Sequence, residues 1–367
     1  MQTEPMSIDQ PGAPDLRLTM HAPGAGCGCK LSASELQQLL GAVSASVPAD
    51  PRVLVGPELS DDAGVFDLGD GRTLVQSVDV FTPVVDDAFD WGRIAAANAL
   101  SDIYAMGATP VTALQILCWP RGLDAGVAAR VLDGAAEVLG TASCSLLGGH
   151  SIDDPTPKFG LSVTGLGQGP ALTNAGAVPG DALVLTKALG TGVVTAANAA
   201  RAVEDETLAA AVESMARLNA DAAEVARTLG AHAVTDVTGF GLVGHLHEIC
   251  RASGVSADIH AELLPVLPAV RSLIEQGHLS GGTRRNRADA LAGGLRSADP
   301  ESVHTWLACD AQTSGGLLVA LDPVAAVAAV DELRGRGHPA TLIGELNHCG
   351  SDGAVVRIRD GSQRYVP

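Results

Sequence analysis

Short runs rich in Val, Leu and Ile alternate with longer Ala-rich runs over almost the whole chain, and this alternation constrains the fold more than any other feature. Thr73 to Asp79 predicts a strand, and Asp90 to Met106 a helix with Ile94, Ala97 and Ile103 among its apolar positions. Val111 to Leu117 predicts a strand and Ala125 to Leu139 a helix. Ser143 to Leu147 predicts a strand running into a loop, Gly148-Gly149-His150-Ser151, and Phe159 to Leu166 a further strand. Gly167 to Gly180 carries four Gly and two Pro and marks a domain boundary. Beyond it come a strand at Ala182 to Thr186, Ala-rich helices to Leu229, and a short strand at Ala233 to Thr235 that feeds Asp236. A helix from Leu242 to Ala252 follows, then late strands at Leu317 to Leu321, Thr341 to Leu346 and Val355 to Ile358. Strands alternating with helices indicate the α/β class, and the periodicity alone suggests a parallel sheet. The chain divides into a Gly-rich arm over residues 1–50, an α/β domain over 51–167 and a second over 168–367.

The 367 residues suit two domains, and 46% hydrophobic content allows a large core. Aromatics are only 3%, which supplies few platforms for stacking single-stranded nucleic acid. The net charge of -19 repels phosphate backbones and anionic membranes, so neither is an expected partner. An anionic substrate would need metal cations to mediate its binding. No apolar run approaches the roughly 20 residues of a membrane span. Met1 to Arg17 is polar, without the apolar stretch of a secretory signal, so the expected location is the cytoplasm. Seven cysteines, thinly spread, do not form a disulfide framework.

The sharpest local feature is Cys27-Gly28-Cys29-Lys30 on a Gly-rich stretch. A thiol beside a cation on a mobile loop suits a reactive thiolate; a metal half-site and a chance pair are the other readings. The second feature is a set of acids at the edges of apolar elements: Asp61-Asp62, Asp79, Asp102 and Asp236. Asp102 follows Asn98 by one helical turn, so both point to one side. Carboxylates so placed suit Mg²⁺ bridging to phosphate oxygens, although 42 acids also put some there by chance. Gly148 to Ser151 and Gln312 to Gly316 read either as plain turns or as loops that turn backbone N–H groups toward a phosphate. Gly281 to Arg287, a basic knot in an acidic chain, reads equally as a phosphate grip or a solvated loop. His245 and His247 do not share a helix face, so no metal pair is expected there.

Together these segments resemble the selenophosphate synthetase family of the aminoimidazole-ribonucleotide-synthetase-like superfamily, from about Leu18 to Arg357. The motifs are Gly24-Ala25-Gly26-Cys27-Gly28-Cys29-Lys30, Asp61-Asp62-Ala63, Asn98-x-x-Ser101-Asp102-Ile103-Tyr104-Ala105-Met106-Gly107, Gly148 to Asp153, Thr235 to Gly241 and Gln312 to Gly316. The resemblance implies two α/β (α+β) domains, a mixed N-terminal sheet at a homodimer core, and conversion of ATP, hydrogen selenide and water to selenophosphate, AMP and phosphate. It implies Cys27 and Lys30 as catalytic and Asp62, Asp102 and Asp236 as Mg²⁺ ligands. ATP contacts fall at Lys30, Leu59, Ser60, Asp61, Asp79, Asp102, Gly149, His150 and Ser151. The selenium arrives as hydrogen selenide or from a delivery protein. Some relatives carry His before the Gly-Ala-Gly; this chain has Pro23 there and His21 two residues earlier. The rival activities are another ATP-dependent reaction of the superfamily, on an aminoimidazole precursor, thiamine phosphate or a carbamoyl group, and a non-catalytic thiol carrier of selenium.

Charge proximity does not separate Cys27 from Cys29, but the resemblance does. Cys27→Ser is expected to lose selenide-dependent AMP production, because a hydroxyl barely ionises near neutral pH. Cys29→Ser is expected to keep a substantial part of it. Assaying both single mutants, with nucleotide binding in parallel, decides; an active Cys27→Ser beside a dead Cys29→Ser reverses the assignment.

Overall fold

The computed structural model describes residues 16–22, 50–57, 61–351 and 353–359. Its strands form two sheets. The first has the order β1-β2-β3-β6-β4-β5, from β1 (Val53–Val55), β2 (Gly64–Asp67), β3 (Arg72–Phe81), β4 (Thr109–Trp119), β5 (Ser145–Asp153) and β6 (Lys158–Gln168). The second has the order β10-β13-β9-β12-β7-β11-β8. Its strands are β7 (Ala182–Leu185), β8 (Ala233–Asp236), β9 (Val255–His260), β10 (Leu295–Ser297), β11 (Leu317–Leu321), β12 (Thr341–His348) and β13 (Val356–Arg359).

Neither sheet is all-parallel, which corrects the expectation from periodicity. Only β4 with β5, and β13 with β9 and β10, pair in parallel. The expected βαβ units exist: β3 and β4 run the same way, but β6 inserts between them antiparallel to both. In the second sheet β11 separates β7 from β8 in the same manner. Strand–helix alternation reports local connection and not which later strand slips between two neighbours.

Two helices, α1 (Ala88–Ala105) and α2 (Ala125–Thr141), cover one face of the first sheet. Asp87 and Asp124 cap them by accepting from Asp90 N and Gly126 N. The helices approach at two glycines: a Cβ on Gly92 would lie 1.9 Å from Val131 O, and one on Gly134 would lie 2.0 Å from Phe89 O. This backbone contact seats α1 on β3, and Trp91, Ile94, Leu100 and Ile103 are buried beneath it. The other face keeps Val78, Leu114, Leu147 and Ile152 exposed, and every residue of the edge strand β5 is exposed.

Gly148 to Ser151 are not a loop but part of β5. The β4–β5 register shifts beside them, Gly148 has φ +134°, and a Cβ on Gly149 would meet Gln115 O at 2.2 Å. The glycine pair answers an irregularity between strands. The basic knot is likewise not a loop: it opens the helix Gly281–Gly293, capped by Ser280. Asn286 donates to Gly239 O and Cys309 O, while Arg287 bonds Pro300 O and pairs with Glu301.

The segment Cys309 to Gly316 organises the second half. Gly192 N, Val193 N, Thr283 Oγ1 and Gln312 Nε2 all donate to the buried Asp310 carboxylate, at 2.7–3.2 Å. Gln312 Oε1 in turn accepts from Gly190 N and Thr191 N, which caps the helix Thr191–Ala199. Burial pushes the Asp310 pKa up to about 6, against 3.8 for the free group. The folded state therefore holds this proton to higher pH than the unfolded chain does. Stability is expected to fall as pH rises from about 4 to about 6, then to level off. Asp310→Asn removes that component of the slope and costs about 1–3 kcal/mol at neutral pH, because its amide N–H groups would face donors. Thermal melts of both proteins across that window check this.

Candidate active site

β3 and α1 meet as a ladder. Side chains two apart on a strand share a face, and those four apart on a helix share a side, at nearly matching spacings of roughly 6–7 Å. Ser77 Oγ donates to Asp102 Oδ2 on one rung. On the next, Asn98 Nδ2 donates to Asp79 Oδ2 at 2.6 Å. The amide oxygen of Asn98 then accepts from Ser314 N at 3.0 Å, and Asn219 Nδ2 joins Ser101 Oγ to Gly315 O. The helix bearing Asp102 is thus tied to the segment that organises the second sheet.

The end of β8 brings Asp236, 1% exposed, to the same place. Its neighbour Thr235 donates to Asp62 Oδ1 at 3.0 Å and so fixes a carboxylate from the chain preceding β2. Asp61 accepts from Asn174 N at 2.7 Å. Asp61, Asp62, Asp79, Asp102 and Asp236 line one cavity of about 950 Å³ between the two sheets, together with Gln76, Ser77, Thr238, His245 and Glu248.

Among the described residues no Lys or Arg lines the cavity. Burial, then the charges of Asp236, Asp102 and Glu248, push the Asp62 carboxyl well above the usual range, partly offset by the Thr235 hydroxyl. Burial also raises Asp61. Asp62 Oδ2 is buried and has no hydrogen-bond partner among the described residues. Oxygen donors of this kind suit a hard divalent cation, and such an ion would relieve the mutual repulsion. Among the described residues no three metal-binding side chains already enclose a single point.

Not every sequence-derived candidate joins this cavity. Gly149, His150 and Ser151 lie on exposed β5, beyond β6 and β4 from β3. Cys27, Lys30, Leu59 and Ser60 lie outside the described residues. His21 is exposed at the end of the turn Leu18–His21 and does not line the cavity. Of the five described cysteines none lines it; Cys144, Cys250 and Cys309 are buried, and burial pushes the last two thiols up to about 12.

Sequence reasoning missed Ser77, Thr238, Glu248 and Lys187. Lys187 is fully buried, donates to Arg217 O and Ser314 O, and is pushed down to about 7, by burial first. It holds the segment on which Asn98 rests. The available signal for Glu248 was its spacing of three from His245 on a helix that begins just after Asp236.

Residues 60–168 match the family described as AIR synthase related protein, N-terminal domain, and residues 178–357 its C-terminal domain. A selenide, water dikinase of Yersinia pseudotuberculosis is 44% identical over 348 residues, covering 94% of this chain and 99% of that protein. A selenide, water dikinase of Escherichia coli K12 is 44% identical over 346 residues, with the same coverages. Among solved structures, a thiamine-monophosphate kinase from Stenotrophomonas maltophilia superposes with a TM-score of 0.63 at 21% identity, over 89% of this chain and 96% of that one. The E. coli hydrogenase maturation protein HypE superposes with a TM-score of 0.58 at 22% identity, over 90% and 95%. The last two likenesses share the fold alone, whereas the first two extend through the sequence from end to end. With AIR synthase-type domains in both halves and 44% identity to curated dikinases over nearly its full length, this chain belongs to the selenide, water dikinase (selenophosphate synthetase) family.

Proposed function

We propose that the acidic cavity between the two sheets is where this selenide, water dikinase brings ATP, selenide and water together to make selenophosphate, AMP and phosphate. The observation that carries this reading is the convergence of Asp62, Asp102 and Asp236, from three separate elements, on one cavity. Asp62, Asp102 and Asp236 would hold Mg²⁺, which would neutralise phosphate charge. Asp61 and Asp79 would contact the nucleotide from the cavity wall. Lys30 and Cys27, on the Gly-rich arm over residues 1–50, would meet the phosphoryl group and the selenium.

The exposure of Gly149 to Ser151 supports an assembly of two copies. The β5 edge offers free backbone groups beside exposed Leu147 and Ile152. A second copy laid along that sheet would cover these residues and bring Gly149, His150 and Ser151 to the partner's nucleotide. Hydrogen selenide or a protein that delivers selenium is the other partner. Among the described residues no helix is long and apolar enough to cross a membrane, which is compatible with a cytoplasmic enzyme.

Phosphorus NMR of the full chain with Mg-ATP and selenide under anaerobic conditions tests the reading. Selenophosphate and AMP are expected, both dependent on selenide; turnover indifferent to selenide overturns it. Asp102→Asn keeps the shape and the rung to Ser77 but removes a ligand charge. ATP turnover is expected to fall at least a hundredfold at limiting Mg²⁺ with an unchanged melting temperature. Full activity at low Mg²⁺ would remove Asp102 from the metal set.

A further inference from the structure

One wall of the cavity is unused by this account. It comes from the turn after β8 and the first turns of the helix Gly241–Ser253: Thr238, Phe240, His245 and Glu248. His245 is the one imidazole lining the cavity among the described residues, and it is 5% exposed. Its Nε2 lies 3.3 Å from Thr238 Oγ1. Its Nδ1 lies 3.2 Å from a Glu248 carboxylate oxygen, without an aligned hydrogen bond. The Phe240 ring packs against the imidazole, with centroids 5.5 Å apart. Thr238 is held from behind, because its carbonyl accepts from Gly241 N and Gln312 N.

These contacts order hydroxyl, imidazole and carboxylate in a chain. The carboxylate beside Nδ1 favours the tautomer protonated there, which leaves Nε2 to accept from the Thr238 hydroxyl. This is the arrangement in which a base, oriented by a third group, draws a proton from an oxygen.

The reaction consumes one water. Two phosphoanhydride bonds break; one phosphoryl group goes to selenium and the other to water oxygen. Asp62, Asp102 and Asp236, once holding Mg²⁺, would be poor acceptors for the proton of that water, since a carboxylate engaged with a cation has lost much of its basicity.

We propose that Thr238, His245 and Glu248 form the proton path for this water. The γ-phosphoryl group passes to selenide and leaves ADP. Water oxygen then bonds to the β-phosphorus, and the bond from that phosphorus to the bridging oxygen breaks, leaving the oxygen on AMP. The water proton passes to Thr238 Oγ as the hydroxyl's own proton moves to His245 Nε2. Glu248 stabilises the resulting imidazolium. His245 later returns the proton to solvent. Thr238 touches the water; Glu248 is a positioning residue.

The proposal rests on the dikinase reading and is tested apart from it by the ratio of nucleotide products. The full chain is mixed with Mg-ATP and selenide anaerobically, and ADP, AMP and selenophosphate are followed over a single turnover. Thr238→Val and His245→Asn are expected to form selenophosphate but to accumulate ADP, with ADP-to-AMP conversion slowed roughly a hundredfold. Thr238→Ser, which keeps the hydroxyl, restores AMP formation. Thr238→Val is close to isosteric, so the Val and Ser pair decides even where His245→Asn does not fold. Wild-type product proportions in Thr238→Val overturn the proposal. So does equal ADP accumulation in Thr238→Ser, or loss of selenophosphate formation in a Thr238→Val protein that melts normally and binds ATP. Wild-type protein that yields no selenide-dependent AMP overturns the dikinase reading, and the proton path with it.

Discussion

Crowded carboxylates repel one another, and two hydrogen bonds and the end of one strand bring Asp62, Asp102 and Asp236 together here. Thr235 donates to Asp62, Ser77 donates to Asp102, and β8 carries Asp236 to the same cavity. Burial first, and then the repulsion that these contacts leave in place, holds Asp62 well above the ordinary carboxylate range. Under the proposed function, a divalent cation at these carboxylates would relieve that unfavourable charge. In a chain with a net charge of -19, such an arrangement would favour a cation over a bare anion.

Holding the carboxylates requires that the two sheets keep a fixed relation. Asn98 spans them: one end of its amide donates to Asp79, the other accepts from Ser314. Ser314 has φ +47°, a conformation that costs free energy, and its carbonyl accepts from the buried Lys187. The same segment carries Asp310 and Gln312, which cap the helix Thr191–Ala199. A single stretch of chain thus satisfies one helix's unpaired N–H groups, holds the buried Lys187 and fastens the cavity-facing side of α1.

Much of this was legible beforehand. Strand and helix runs were recognisable because Val, Leu and Ile cluster and Ala spaces them; Leu317–Leu321 agrees to the residue. The acids were legible as carboxylates at the edges of apolar runs, which the family resemblance singled out from 42 acids, and the placing of Asn98 and Asp102 on one side followed from helical spacing. Gly148 to Ser151 misled because a glycine pair is equally the mark of a phosphate loop and of an irregular strand. Thr238, His245 and Glu248 escaped because a hydroxyl, an imidazole and a carboxylate within eleven residues carry no signal until a cavity faces them.

The sequence by itself determined the α/β class, the family, the acidic character and the identity of the carboxylates, because these depend on local pattern and composition. Only the tertiary structure decided which strand inserts between which, and that Asp62 meets Asp236 across 174 residues of chain. It also decided that β5 faces outward with its glycines. Strand insertion and side-chain convergence are long-range choices; α1 meets α2 at Gly92 and Gly134, and Asn98 bonds Ser314 far along the chain. Neither leaves a periodic trace in the residues that make it.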